Sequence, residues 1–291
     1  MGYPQPVHAR LTSKTALAAA GVAAGLLFLT WFAVFHIGVV KRADQSILQG
    51  FSDIGHRGGI EPVANFVANL CSPEPYLYFA WIPMLVAVLR GRPRVALAIG
   101  VILVGANLTT HVLKPLLAQP RPASLLHGIP QIGAVSWPSG HATAAMSFVL
   151  CCVLAAPSRM RPFVVAIGAV FAVAVCYSFL ALGWHYPSDV LGGFLVATTW
   201  TLVAISGLRA IQKHGIASGP PTPSRLRLAH DLGPPAAAVA GAAGLGILIA
   251  LARPHAVLAF ARAHEWFILG AATIGLVALA LATGLMLAVR R

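Results

Sequence analysis

The run WPSGHATAAMSFVLCCVLAA, residues 137–156, decides the fold. It opens on a polar turn, Trp137-Pro138-Ser139-Gly140-His141, and continues to Ala156 without a charged residue. Ser139 suits a helix N-cap and Gly140 leaves room for close approach, so the turn stands at a helix N-terminus. Unpaired backbone N–H groups and the helix dipole favour an anion there. Seven more apolar runs flank this one, at roughly Thr15–Val40, Tyr76–Leu89, Val95–Leu117, Phe163–Leu182, Ser188–Leu208, Pro235–Ala252 and Trp266–Val289. The first is too long for a signal-peptide core and reads as a retained span.

The 291 residues are 58% hydrophobic and only 9% charged, with a mean hydropathy of +0.81. That composition excludes an ordinary soluble domain and predicts an all-α, polytopic membrane helical bundle of eight spans. The net charge of +13 does not signal nucleic acid, because its Lys and Arg residues sit in short clusters between apolar runs rather than along a basic stripe. Arg10/Lys14, Arg90/Arg92/Arg94, Arg159/Arg161, Arg209/Lys213/Arg225/Arg227 and Arg290/Arg291 fall in alternate connections, which the positive-inside rule assigns to the cytoplasm together with both termini. The four cysteines have neither a disulfide framework nor a zinc spacing.

Four of the seven acidic residues, Asp44, Asp53, Glu61 and Glu74, lie between Lys41 and Pro75, a mixed stretch expected to form short amphipathic helices. A proline-rich segment near Pro220, Pro221, Pro223, Pro234 and Pro235 predicts a division into a six-span core (1–210), a cytoplasmic linker (211–234) and a two-span C-terminal extension (235–291). That extension carries no cluster of ionisable groups, so the sequence assigns it no role.

Chemistry gathers between Lys114 and Asp189. Lys114 closes one apolar run, and prolines 115, 120 and 122 constrain the loop that brings back Arg121, so an ammonium and a guanidinium can share one oxyanion. Read alone, Lys114 also fits a snorkelling lysine, and the Ser139 turn also fits an ordinary N-cap with an interfacial histidine. His141, in the first turn of its helix, can protonate a leaving oxygen. His185 and Asp189 bracket Pro187, which suits the first position of a helix, so the carboxylate lies one turn from the imidazole and can fix its tautomer, although such a pair is also common as simple capping. All three clusters fall on the face opposite the basic connections.

These residues resemble the type-2 phosphatidate phosphatases, which share their site with vanadium haloperoxidases. Lys114, six intervening residues and Arg121-Pro122 match the first motif; Pro138-Ser139-Gly140-His141 matches the second; Ser178, His185 and Asp189 match the third, with Phe179 where the family has arginine. The resemblance implies a metal-independent and cofactor-free phosphatase acting on a lipid phosphate or diphosphate within membrane lipid, with no nucleic-acid partner. Polyprenyl diphosphate, phosphatidate and phosphatidylglycerophosphate are the substrate classes it leaves open. It implies His185 as nucleophile, Asp189 as its partner and His141 as acid, with Lys114, Arg121, Ser139, Gly140 and Ser178 around the phosphate. His111, on the Lys114 face of its helix, offers a substitute donor for the missing arginine, or simply packs. A phosphatase-like lipid-phosphate binding or transport protein is the alternative that Phe179 raises.

Overall fold

The computed structural model describes residues 12–120, 127–129, 132–212 and 225–289. They form twelve α-helices: α1 (Ser13–His36), α2 (Gly38–Gly55), α3 (Ile60–Asn69), α4 (Pro73–Phe79), α5 (Ile82–Leu89), α6 (Pro93–Leu116), α7 (Gly140–Ala155), α8 (Arg161–Ala181), α9 (Pro187–Gln212), α10 (Arg225–Ala252), α11 (Pro254–Ala263) and α12 (Phe267–Ala288). No strand occurs among the described residues. Six of these helices, α1, α6, α8, α9, α10 and α12, are long and apolar enough to cross a membrane, while Pro73–Leu89 and α7 are shorter apolar segments. The eight expected runs are thus all helical. Large apolar side chains such as Leu29, Val104, Ile167 and Leu248 face outward around the bundle, as lipid contact requires.

Helix α7 is the central post. Twelve of its sixteen residues are buried, which explains why its sequence is apolar all round instead of along one stripe. At about 1.5 Å per residue, a helix of this length falls short of a hydrocarbon core of roughly 30 Å. It need not span alone, because α5, α6, α8, α9 and α12 surround it.

The acidic stretch after α1 folds as α2 and α3, as its mixed composition predicts. α2 packs between α8, α12 and α9 and buries Asp44, Leu48 and Phe51. At the other end of the bundle, Arg90 donates to the carbonyl of Ala155, Arg92 to Leu154 (3.1 Å), Arg161 to Val289 (2.9 Å) and Arg209 to Ala288 (3.5 Å). Basic residues from separate connections therefore meet at one end, around the C-termini of α7 and α12.

Two features differ from expectation. The linker expected over 211–234 is helical from Arg225 onward, with Pro234 and Pro235 inside α10. Strong helix formers before the prolines and an alanine run after them outweigh the lost backbone hydrogen bonds. Residues 213–224 of that linker lie outside the described residues. The C-terminal pair also behaves unevenly: α10 lies against α8 and is almost wholly exposed, whereas α12 inserts against α8, α2, α7 and α9.

Candidate active site

Thr110 sets the register that makes the site. It lies one turn before Lys114 on the same face of α6, and its hydroxyl meets that of Thr143 at 3.0 Å. Thr143 Oγ1 donates to the carbonyl of Ser139 (2.9 Å), so α6 is fastened to the first turn of α7. Lys114 Nζ then stands 4.0 Å from where a Cβ on Gly140 would sit.

Ser139 caps α7, its Oγ accepting from the N–H of Ala142 (3.3 Å), and its own N–H donates to the carbonyl of Asp189 (2.9 Å). Helix α9 approaches this closely because of Gly192 and Gly193. A Cβ at Gly193 would lie 2.7 Å from the Ser139 carbonyl oxygen, and one at Gly192 would lie 2.9 Å from the Trp137 ring.

The link from α8 to α9 turns at Gly183, whose φ of 68° lies in the left-handed region that favours glycine. Pro187 then opens α9. His185 Nδ1 faces Asp189 Oδ2 at 3.2 Å, and the same oxygen accepts from the N–H of Tyr186 at 3.0 Å. A carboxylate accepts, so Nδ1 carries the proton and Nε2 is left with its lone pair. Asp189 is wholly buried and His185 nearly so.

His141 faces His185 with ring centroids 6.1 Å apart. Its Nε2 lies 3.2 Å from Ser72 Oγ, which itself donates to Asn69 Oδ1 at 3.0 Å. With the Ser72 hydrogen committed to Asn69, its oxygen accepts from His141, making Nε2 the protonated nitrogen. Phe179, fully buried, touches both histidines, with centroids at 5.8 Å from His141 and 5.3 Å from His185.

Lys114, Ser139, Gly140, His141, His185 and Asp189 are thus brought together. Ser178 is half-buried beside Phe179, and among the described residues its side chain makes no hydrogen bond with either histidine. Arg121 and Pro122 lie outside the described residues. His111 is exposed, and no hydrogen bond or ring contact joins it to the two histidines among the described residues. Three features escaped the sequence reading. Asp44 reaches across from α2 to accept from Ser188 N (2.9 Å) and Ser188 Oγ (2.7 Å), steadying the start of α9; Ser72 contacts His141; and Gly192-Gly193 seats α9 on α7. Only the glycine pair left a signal, an adjacent pair inside a helical pattern.

Fold and site together define a polytopic membrane protein with a two-histidine centre, His185 buried and His141 half-buried, beside a helix N-terminus and a lysine. Residues 95–213 match the PAP2 superfamily. An undecaprenyl-diphosphatase from Sulfolobus acidocaldarius is 26% identical over 133 residues, covering 44% of this chain and 63% of that relative's own length. The first transmembrane PAP2 type phosphatidylglycerolphosphate phosphatase from Bacillus subtilis shares the fold, with a TM-score of 0.54 and 23% identity over 67% of this chain and 98% of that one. The similarity to the PAP2 superfamily thus runs over residues 95–213, the stretch that holds Lys114, His141, His185 and Asp189.

Proposed function

We propose that this protein is a membrane lipid phosphatase that hydrolyses a lipid phosphate or diphosphate through a phosphohistidine on His185. The observation that carries the reading is the His185–Asp189 pair, held opposite His141 and beside Lys114 at the N-terminus of α7. Nε2 of His185 forms the N–P bond as the P–O bond to the leaving oxygen breaks, and His141, entering the step as the imidazolium, gives that oxygen a proton. Water then attacks phosphorus, His141 takes a proton from it, and cleavage of the N–P bond frees inorganic phosphate and restores neutral His185. Lys114, Arg121, Ser139, Gly140 and Ser178 hold the nonbridging oxygens, since phosphoryl transfer depends chiefly on positioning and charge stabilisation.

Phosphate release from a panel of polyprenyl diphosphate, phosphatidate and phosphatidylglycerophosphate tests this reading, together with acid trapping of a His185 phosphoenzyme. No release from any of them would sink it. Phe179, an apolar ring touching both histidines, favours the second reading, a lipid-phosphate binding or transport protein without turnover. In that case the same lipids bind and no phosphate appears.

The basic end is proposed to face the cytoplasm with both termini, which puts the histidines at the outer leaflet. In a cysteine-free background, a membrane-impermeant thiol reagent on intact cells should label Ser124→Cys and spare Ser218→Cys. The reverse pattern would invert the orientation.

A further inference from the structure

The C-terminal pair, to which the sequence gives no role, is joined to the histidine turn by a line of polar contacts running through α2. Gln49 grips the backbone of His127 with both ends of its carboxamide: Oε1 accepts from the His127 N–H (2.9 Å) and Nε2 donates to its carbonyl (3.3 Å). Nε2 also donates to Asp53 Oδ1 at 2.6 Å. The second oxygen of Asp53 lies 2.8 Å from Nε2 of His264, between α11 and α12, and because a carboxylate accepts, the histidine is the donor. His264 is only 8% exposed; its Nδ1 lies 3.1 Å from the Phe260 carbonyl and its ring stacks on Phe260 at 4.3 Å.

The other end of the line reaches the site. Two residues after His127, Ile129 lies directly on Gly183, where an added Cβ would stand 2.8 Å from Ile129 Cγ2. Gly183 begins the turn that presents His185. Helix α2 is itself fixed against the C-terminal pair by Phe51, whose ring meets Phe267 at 4.9 Å. A loop held only by its own backbone would leave the Gly183 turn open to movement, and a small misplacement of a nucleophile is costly in rate.

We propose that Gln49, Asp53 and His264 form a polar brace through which the C-terminal pair holds the 127–129 segment onto the Gly183 turn, making these three positioning residues for His185. The kinetic part of this inference rests on the proposed phosphatase reading; the mechanical part does not.

The test therefore uses two measurements on the full chain in lipid nanodiscs, comparing wild type with Gln49→Leu, His264→Leu and the conservative Asp53→Asn. Hydrogen exchange of amides 183–190 should quicken about tenfold or more in the two leucine variants and stay near wild type in Asp53→Asn, whose side chain still offers an acceptor to Gln49. For whichever panel lipid the wild type hydrolyses, kcat should fall about tenfold in the leucine variants with KM little changed, because attack geometry is disturbed while substrate binding is kept. Unchanged exchange at 183–190 in both leucine variants overturns the brace. Faster exchange with wild-type kcat overturns the positioning role. If one leucine variant does not fold, the other decides; if neither folds, loss of exchange protection in Asp53→Asn equal to that at Asp53→Leu overturns the proposal, and retention supports it. A wild type that releases no phosphate defeats the phosphatase reading alone, and the exchange data still decide the brace.

Discussion

The two ends of α7 collect positive charge for opposite reasons. At its C-terminus, Arg90 and Arg92 donate to the carbonyls of Ala155 and Leu154, so each cation meets the negative end of the helix dipole and the pairing is complete within the protein. At its N-terminus, Lys114 stands beside Gly140, where the N–H groups are also positive. A cation there gains nothing from the helix dipole, and the negative group that acts on it within the protein is the buried Asp189 carboxylate. The difference teaches that the arginine end is scaffold, and it fits the proposal that the lysine end receives a negatively charged guest.

The largest effect that could break this comparison is His185→Ala. It removes the nitrogen proposed to attack phosphorus, so phosphate release should vanish and no phosphoenzyme should be trapped. Full activity would show that the nucleophile lies elsewhere.

Phe179→Arg comes next. By analogy with arginine fingers, a guanidinium in contact with a transferring phosphoryl is worth up to about 10³–10⁵ in rate. The side chain it replaces is wholly buried against both histidines, so in the empty protein the new cation costs several kcal/mol. The expected result is faster phosphate release with a lower Tm that inorganic phosphate restores. A stably folded variant with no gain on any lipid would mean that the site has no place for a third cation. His141→Ala should slow release by about 10²–10⁴, most for poor leaving groups, since it removes the proposed acid. Equal losses for activated and natural esters would argue against that role.

How much of this was legible beforehand depends on the range of each interaction. Ser139, Gly140 and His141 share one turn, and His185 and Asp189 share another, so spacing alone is enough to put each set together. The eight apolar runs were equally plain, because a bilayer imposes length and composition on each span separately. Asp44 is different: it meets Ser188 across 144 positions of sequence, and nothing local marks it apart from Asp53 or Glu61. The Gln49–His127 grip spans 78 positions and uses backbone atoms on one side, which leave no trace in residue identity. Pro234 and Pro235 misled because a breaker's usual meaning was overridden by the helix formers around them.

At the scaffold end the expected effects are on stability. Arg161→Met leaves the half-buried Val289 carbonyl without that donor and should cost about 1 kcal/mol in unfolding free energy. Phosphate release per folded molecule should not change. A fall in kcat without loss of Tm would show that the two ends of the bundle are coupled in a way the packing does not express.

Thr110→Val carries the smallest expected effect and bears most directly on the lysine end. Its hydroxyl bond to Thr143 is what registers Lys114 against Gly140, and valine keeps the volume while removing the bond. Loss of one such bond should cost about 1 kcal/mol of stability. Lys114 is proposed to hold the phosphate in the ground state and the transition state alike, so a slight misplacement should raise KM severalfold and leave kcat nearly unchanged. Inhibition by vanadate, which presents similar oxygens, should weaken in step, and Thr110→Ser should restore both. If kcat falls instead while KM holds, the Thr110–Thr143 bond serves the geometry of His141 in the same first turn of α7 rather than the placement of Lys114, and the contrast between the two ends of that helix would need a different cause.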